Sequence, residues 1–230
     1  MNVNKEVLDF LKTQEKVTVG FSTGKDSVAV TTVLRNADVE VLPFFFYHVP
    51  DLDFVEENIR MYEKIFGFEV VRMPHPMLYD YLRHQDFQPP KMIDYLSEIE
   101  FPKMHFSDLI DIQLSHVGDE NEYYDAVGMR AAECFNRRMV FKQQGFFNHV
   151  ERKVYPIADW KKSDVLSYLK KNNIPLTKDY GIWDRSFDGL KYQFLFGVKK
   201  HYPNDWKKIC EYFPLIELEL FRYEQNKKYF

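Results

Sequence analysis

Apolar residues fall in two alternating rhythms along the first half of the chain, short continuous runs and longer one-sided stripes. Lys16 to Phe21 (KVTVGF) reads as a buried strand, followed by a helix over Asp26–Arg35 with apolar Val28, Ala29, Val33 and Leu34. Val39 to Tyr47 (VEVLPFFFY) reads as a second strand, in which Pro43 predicts an edge position or a bulge, because proline cannot donate to a ladder. The next helix has the clearest stripe: Val55, Ile59, Tyr62 and Phe66 share one face. Asp53 and Glu56 suggest a capping box at its start, and Gly67 ends it. Phe68–Met73 and Tyr124–Gly128 read as further strands, the latter entering a helix over Ala131–Phe141. A strand near Val150–Tyr155 leads to Pro156, and Ser163 is placed as the cap of a helix through Lys171, stopped by Asn172, Asn173 and Pro175.

Strand and helix in alternation predict an α/β fold: a mostly parallel twisted sheet with helices on both faces, Rossmann-like. Pro74 to Glu122 breaks the rhythm with Pro76, Pro89, Pro90 and Pro102 among scattered aromatics, and is read as an irregular, mainly helical insertion covering the site. Residues 190–230, with Trp206 to Tyr223 at their heart, read as a helical segment packed on the core. The whole of 1–230 is taken as one nucleotide-binding domain, within the size of a single core.

Composition narrows the function classes. A net charge of −4 argues against broad non-specific nucleic-acid binding, leaving only a local basic groove as an option. The two cysteines, Cys134 and Cys210, lie far apart and form no C-x-x-C pair, so no iron–sulfur cluster is expected. No apolar run reaches the length of a membrane helix and the first residues are polar, so the expectation is a cytoplasmic protein without a membrane partner. His75, His84, His105, His116, His149 and His201 show no ligand spacing.

The candidate chemistry begins at Ser22-Thr23-Gly24-Lys25-Asp26-Ser27, between a strand and a helix. A helix N-terminus offers unpaired N–H groups and a positive dipole end, which attract phosphate. Gly24 permits close backbone approach, Ser22 and Ser27 add hydroxyls, and Lys25 adds charge. Asp26 should repel phosphate, so its roles are to cap the helix, orient loop amides or hold a magnesium-bound water. The spacing is not that of a Walker A loop: three residues separate Gly20 from Gly24, and Asp26 follows Lys25.

The hexad resembles the PP-loop (S-x-G-x-D-S) of the N-type ATP pyrophosphatases, and especially of their PAPS reductase-like branch. That branch carries a second block, G-x-R-x-x-E-S-x-x-R. It is matched here by Gly128-Met129-Arg130-Ala131-Ala132-Glu133-Cys134-Phe135-Asn136-Arg137, with Cys134 in place of Ser. A third block appears as Tyr155-Pro156-Ile157-Ala158-Asp159-Trp160, and a Tyr-containing segment follows at Tyr180–Arg185.

The resemblance spans Val17 to Gly189. It implies a PP-loop fold that binds adenine nucleotide at the strand C-terminal ends. Ser22, Thr23, Gly24, Lys25, Asp26 and Ser27 would hold phosphates, Tyr47 and His48 would lie near base or ribose, and Gly128 would pass close by. Arg130 and Arg137 would reach phosphate oxygens, and Asp26 would serve magnesium. The implied reaction is attack by an acceptor on the α-phosphorus of ATP, with pyrophosphate leaving. PAPS or APS is the alternative nucleotide and a sulfonucleotide reductase the alternative enzyme. The Glu-Cys-Gly segment that reductases need near the C-terminus is absent, which makes the redox role doubtful, and a non-catalytic nucleotide-binding module is the third option. The acceptor is not named by the sequence, and a homodimer is one option for assembly.

Overall fold

The protein is described by a computed structural model, which covers residues 3–119 and 121–227. The chain runs α1 (Lys5–Leu11), β1 (Lys16–Gly20), α2 (Lys25–Asn36), β2 (Glu40–Tyr47), α3 (Asp53–Phe66) and β3 (Val71–Pro74). Three short helices follow, α4 (Pro76–Arg83), α5 (Pro90–Leu96) and α6 (Phe106–His116), and then β4 (Tyr124–Ala126). A 3₁₀ turn (Ala131–Glu133), α7 (Phe135–Gln144), β5 (Phe147–Asn148), β6 (Lys153–Val154), α8 (Lys162–Lys171) and the single turn α9 (Tyr180–Trp183) come next. The described chain ends with α10 (Tyr192–His201), α11 (Pro203–Tyr212) and α12 (Glu217–Lys227).

The six strands pair in the order β3-β2-β1-β4-β6-β5, parallel except for the β5–β6 hairpin. The chain steps outward from β1 through β2 to β3, then returns to lay β4 and β6 on the other side. Right-handed crossovers therefore send helices to opposite faces, the doubly wound arrangement. Side chains follow the strand period of two. Val17, Val19, Val41, Phe45, Ala126 and Val154 join the main core with Val28, Ile59 and Val165 from α2, α3 and α8. Phe44 and Met73 point the other way, against Leu109 and Leu114 of α6, in a smaller cluster. The expected α/β sheet with helices on both faces is what the chain forms.

Several local expectations change. β2 is interior, paired in register with both β1 and β3 and without a bulge. Pro43 is tolerated because carbonyls two apart face the same neighbour. Tyr47 O accepts from His75 N on the β3 side, so Pro43 also faces β3, whose pairing starts only at Phe44. No capping box starts α3. Its N-cap is Leu52, and the carboxylate of buried Asp205 takes Asp53 N at 2.6 Å and Phe54 N at 3.2 Å, while Glu56 pairs with Arg72 at 3.1 Å. The helix expected over Ala131–Phe141 breaks at Cys134, whose backbone is extended. The strand expected at Val150–Tyr155 is a hairpin, with Val150 exposed at its tip. α8 is capped at Lys161, two residues before Ser163: Asp164 accepts from Lys161 N at 2.7 Å.

The region between β3 and β4 supplies a wall as well as helices. Phe106, at the start of α6, meets Phe46 at 4.8 Å and His75 at 5.0 Å between ring centroids. From the C-terminal segment, Trp206, Ile209, Phe213 and Ile216 enter the main core. The last three residues of the expected C-terminal segment, and Glu120 of the expected insertion, lie outside the described residues.

Candidate functional site

The Ser22–Ser27 loop sits where the sheet order reverses, at the C-terminal end of β1. Phe21 N donates to Phe44 O at 2.7 Å, the last rung before the chain leaves the sheet. Gly24 then becomes the N-cap of α2, and no side chain among the described residues caps the first-turn amides. The left-handed position belongs to Thr23 (φ 58), a buried β-branched residue, not to glycine. Such a conformation costs on the order of 1–3 kcal/mol and clusters at functional loops. Gly24 also lies close to Ser186: a Cβ there would fall 2.8 Å from Ser186 Oγ, which would have to turn aside. Ser27 Oγ donates to Gly24 O at 3.0 Å and lies 3.3 Å from Ser22 Oγ, which fixes the bend.

The second block closes on this loop across the switch point. Gly128 lies so near α2 that a Cβ would meet Asp26 C at 3.1 Å and Asp26 O at 3.2 Å. Two residues on, buried Arg130 extends its Nε to Asp26 Oδ1 at 2.8 Å, bridging 104 residues of sequence. Asp26 Oδ2 takes Lys25 Nζ at 2.6 Å. Glu133 accepts from Arg130 N at 3.1 Å, approaches Arg130 Nη2 at 3.4 Å, and pairs with Arg137. Lys25, Asp26, Arg130, Glu133 and Arg137 thus form one chain of alternating charge. Arg130 reaches the loop; Arg137 is held at the surface by Glu133.

The end of β2 supplies the third element. His48 is buried and stacks on His75 with centroids 4.2 Å apart. Burial, with the neighbouring His75, pushes its pKa down to about 3, so the ring stays neutral. Its Nδ1 has no hydrogen-bond partner among the described residues. Gly189 (φ 85) presses on the ring, and a Cβ there would sit 3.2 Å from Cε1 and Nε2. His75 is also pushed down by burial, and its Nδ1 accepts from Met77 N at 3.0 Å, which leaves the ring proton on Nε2. Burial raises the Tyr47 hydroxyl. Trp160 is a core residue, stacked edge-on with Tyr168 at 4.8 Å.

A cavity of about 870 Å³ joins these parts, reaching from Ser22, Tyr47 and His48 along the second sheet face beneath α6. Sequence reasoning missed Ser186, His75 and the sheet-face residues Thr18 and Asp125. His75 and Ser186 lack a motif; Thr18 and Asp125 announce themselves only as polar residues inside strands. Among the described residues no three His, Cys, Asp or Glu side chains gather as metal ligands, and no helix is long and apolar enough to cross a membrane. Cys134 is exposed beside Glu133, while partial burial raises the thiol pKa of Cys210 on α11.

No family model matches the chain. The uncharacterized protein MJ0973 of Methanocaldococcus jannaschii is 23% identical over 221 residues, covering 90% of this chain and 50% of the relative. The chain therefore spans about half the length of that relative. Among solved structures, the NH3-dependent NAD synthetase from Campylobacter jejuni in complex with the nitrate ion aligns over 95% of this chain and 92% of that one. Its TM-score is 0.45 and its sequence identity 14%, a likeness too distant to carry an argument.

Proposed function

We propose that the chain is an adenine-nucleotide-binding enzyme of the PP-loop type that catalyses ATP-dependent adenylyl transfer with release of pyrophosphate. One observation carries this reading. Two motif blocks far apart in sequence meet at the switch point of the sheet, where open α/β sheets bind ligands, and are joined there by the Arg130–Asp26 pair. The uncapped amides of α2 and the Lys25 ammonium are the groups a polyphosphate needs. Arg130 adds a planar fork suited to phosphate oxygens.

In this reading the polyphosphate takes Lys25 and Arg130 from Asp26. The freed carboxylate then faces the phosphates, where it can hold a water of magnesium. Both oxygens of Asp26 are engaged by cations in the present arrangement, so the residues fit a magnesium ion that arrives with its nucleotide better than a resident one. The chain's own work is positioning and neutralisation of charge on the leaving pyrophosphate. His48, neutral and lining the cavity beside Tyr47, suits a place next to the base or ribose.

Isothermal calorimetry with ATP, AMP, APS and PAPS in magnesium, on wild type, Asp26→Ala and Arg130→Ala, tests the proposal. Preference for ATP that is lost in Arg130→Ala supports it and sets up an acceptor screen read by pyrophosphate release. Preference for PAPS or APS turns the reading toward a sulfonucleotide enzyme. Binding without turnover across the screen leaves a nucleotide-binding module.

A further inference from the structure

Strands buried on both faces are normally apolar throughout. In this sheet one lateral row is not. Register places Thr18 of β1 beside Asp125 of β4, and Asp125 beside Lys153 of β6. All three belong to the second face, opposite the main core, and all three line the cavity beneath α6. Asp125 sits in the middle of the row with little to satisfy it. Among the described residues its carboxylate has one hydrogen bond, from Thr18 Oγ to Oδ1 at a long 3.3 Å, and no ion-pair partner. Lys153 answers it only through space, lowering its pKa in part, because the ammonium itself pairs with Glu151 at 2.6 Å. Burial pushes the Asp125 carboxyl up to about 6, as expected of an acid left short of donors.

The charge of the cavity has a sign. Five carboxylates line it: Asp111, Glu122, Asp125, Glu151 and Asp188. Glu122 pairs with Arg152, Glu151 with Lys153, and Asp188 with Arg185 and Lys191. The lining cations Arg152 and Lys153 are thus engaged, while Asp111 and Asp125 have no ion-pair partner among the described residues. Phe44 and Phe46 from β2, with Ile110 and Leu114 from α6, give the same space an apolar wall. An apolar chamber with one under-satisfied carboxylate is the ordinary form of a small-molecule site.

We propose that this chamber binds a small organic amine, with the Asp125 carboxylate receiving the ammonium and the aromatic wall holding the apolar body. An ammonium supplies the donors that Asp125 lacks, and the unpaired carboxylates favour a cation over an anion. The chamber is continuous with the space beside Ser22, but Asp125 and Lys153 lie on the strands beyond β1, at its far end from the loop. Binding is read without nucleotide, so it survives or fails separately from the proposed adenylyl transfer.

Three probes with the same phenyl body and different heads test it: 2-phenylethylamine, 2-phenylethanol and 3-phenylpropanoate. Binding is measured by ligand-observed NMR on the whole chain, as wild type, Asp125→Asn and Ile110→Trp, with circular dichroism to check folding. The amine should bind about tenfold tighter than the alcohol, the usual gain of a charge-assisted hydrogen bond, and the carboxylate should be weakest. Asp125→Asn should bring amine and alcohol level. Ile110→Trp, which narrows the chamber beside the aromatic wall and keeps Asp125, should weaken binding of both. Equal binding of amine and alcohol to wild type, an amine preference that survives Asp125→Asn, undiminished binding to Ile110→Trp, or no binding of the amine would each overturn the proposal. If Asp125→Asn does not fold, the wild-type probe order and Ile110→Trp still decide.

Discussion

Gly128→Ala probes the contact that joins the two motif blocks. The added Cβ would lie 3.1 Å from Asp26 C, 3.2 Å from its carbonyl oxygen and 3.3 Å from its Cβ. Those are atoms of the first turn of α2, which cannot swing aside like the end of a long side chain. Overpacking of this kind costs about 1–3 kcal/mol, against about 0.4–1 kcal/mol gained by restricting the unfolded chain. The net expectation is a loss of about 1 kcal/mol, read as a lower urea midpoint at unchanged slope. Gly20→Ala is the matched control, because nothing lies within 4 Å of a Cβ at the end of β1. It should be neutral or slightly stabilising.

The functional effect of Gly128→Ala should exceed the structural one. Spreading the two loops by a few tenths of an ångström moves Arg130 relative to Asp26 and to the amides of α2. A charge-assisted hydrogen bond put out of reach is worth about 1.5–3 kcal/mol, so ATP affinity by calorimetry should fall about tenfold or more. The reasoning fails if Gly128→Ala is as stable as Gly20→Ala, or if the folded variant binds ATP within about twofold of wild type.

Asp205→Ala should destabilise by about 2–4 kcal/mol in urea, since it removes a cap and orphans two amides at a buried helix start. Asp53→Ala, at the residue expected to cap, should cost under about 0.5 kcal/mol. Asp125 has a folded pKa raised to about 6. Its contribution to stability is therefore present at acid pH and is lost as pH rises through about 6, and Asp125→Asn should flatten urea midpoints across that window. His48 has the opposite sign, because a pKa lowered to about 3 costs stability as pH falls below the ordinary histidine range. ¹⁵N NMR should find its ring neutral at pH 5, and an imidazolium signal there would refute its burial.

The sequence carried those parts of the fold in which one residue type serves one local purpose. The stripe of α3, the run of β1 and the hexad before α2 each announce themselves through period and spacing. Features that depend on a distant partner were not legible. Asp53 and Glu56 have the pattern of a capping box, yet Asp205 and Arg72 take over the hydrogen bonds concerned. Cys134 sits in a stretch that reads as continuous helix, but Glu133 turns back to Arg130 N and the helix restarts beyond it. The left-handed backbone of Thr23 had no signal in the sequence, since a β-branched residue is not one that favours it. The two motif blocks were legible by resemblance, and the chain brings them together through Arg130 and Asp26. The row of Thr18, Asp125 and Lys153 was not, because strand register, unlike spacing along one segment, is a property of three separated pieces of chain.

The alternating charges at the loop bear on how a ligand would enter. Lys25 and Arg130 already share Asp26, so part of their charge is answered and both cations are held in position before any ligand arrives. Arg130, buried, would be costly to keep ionised without that partner. A single-charged anion offers Lys25 and Arg130 no more than the carboxylate already gives, and it cannot also fill the row of amides at the start of α2. A polyphosphate can do both, meeting the two cations with one group and the helix N-terminus with another. On the proposed reading the loop would discriminate by charge and reach together, and Asp26, which looked out of place in the hexad, would set the threshold an anion must pass to displace it.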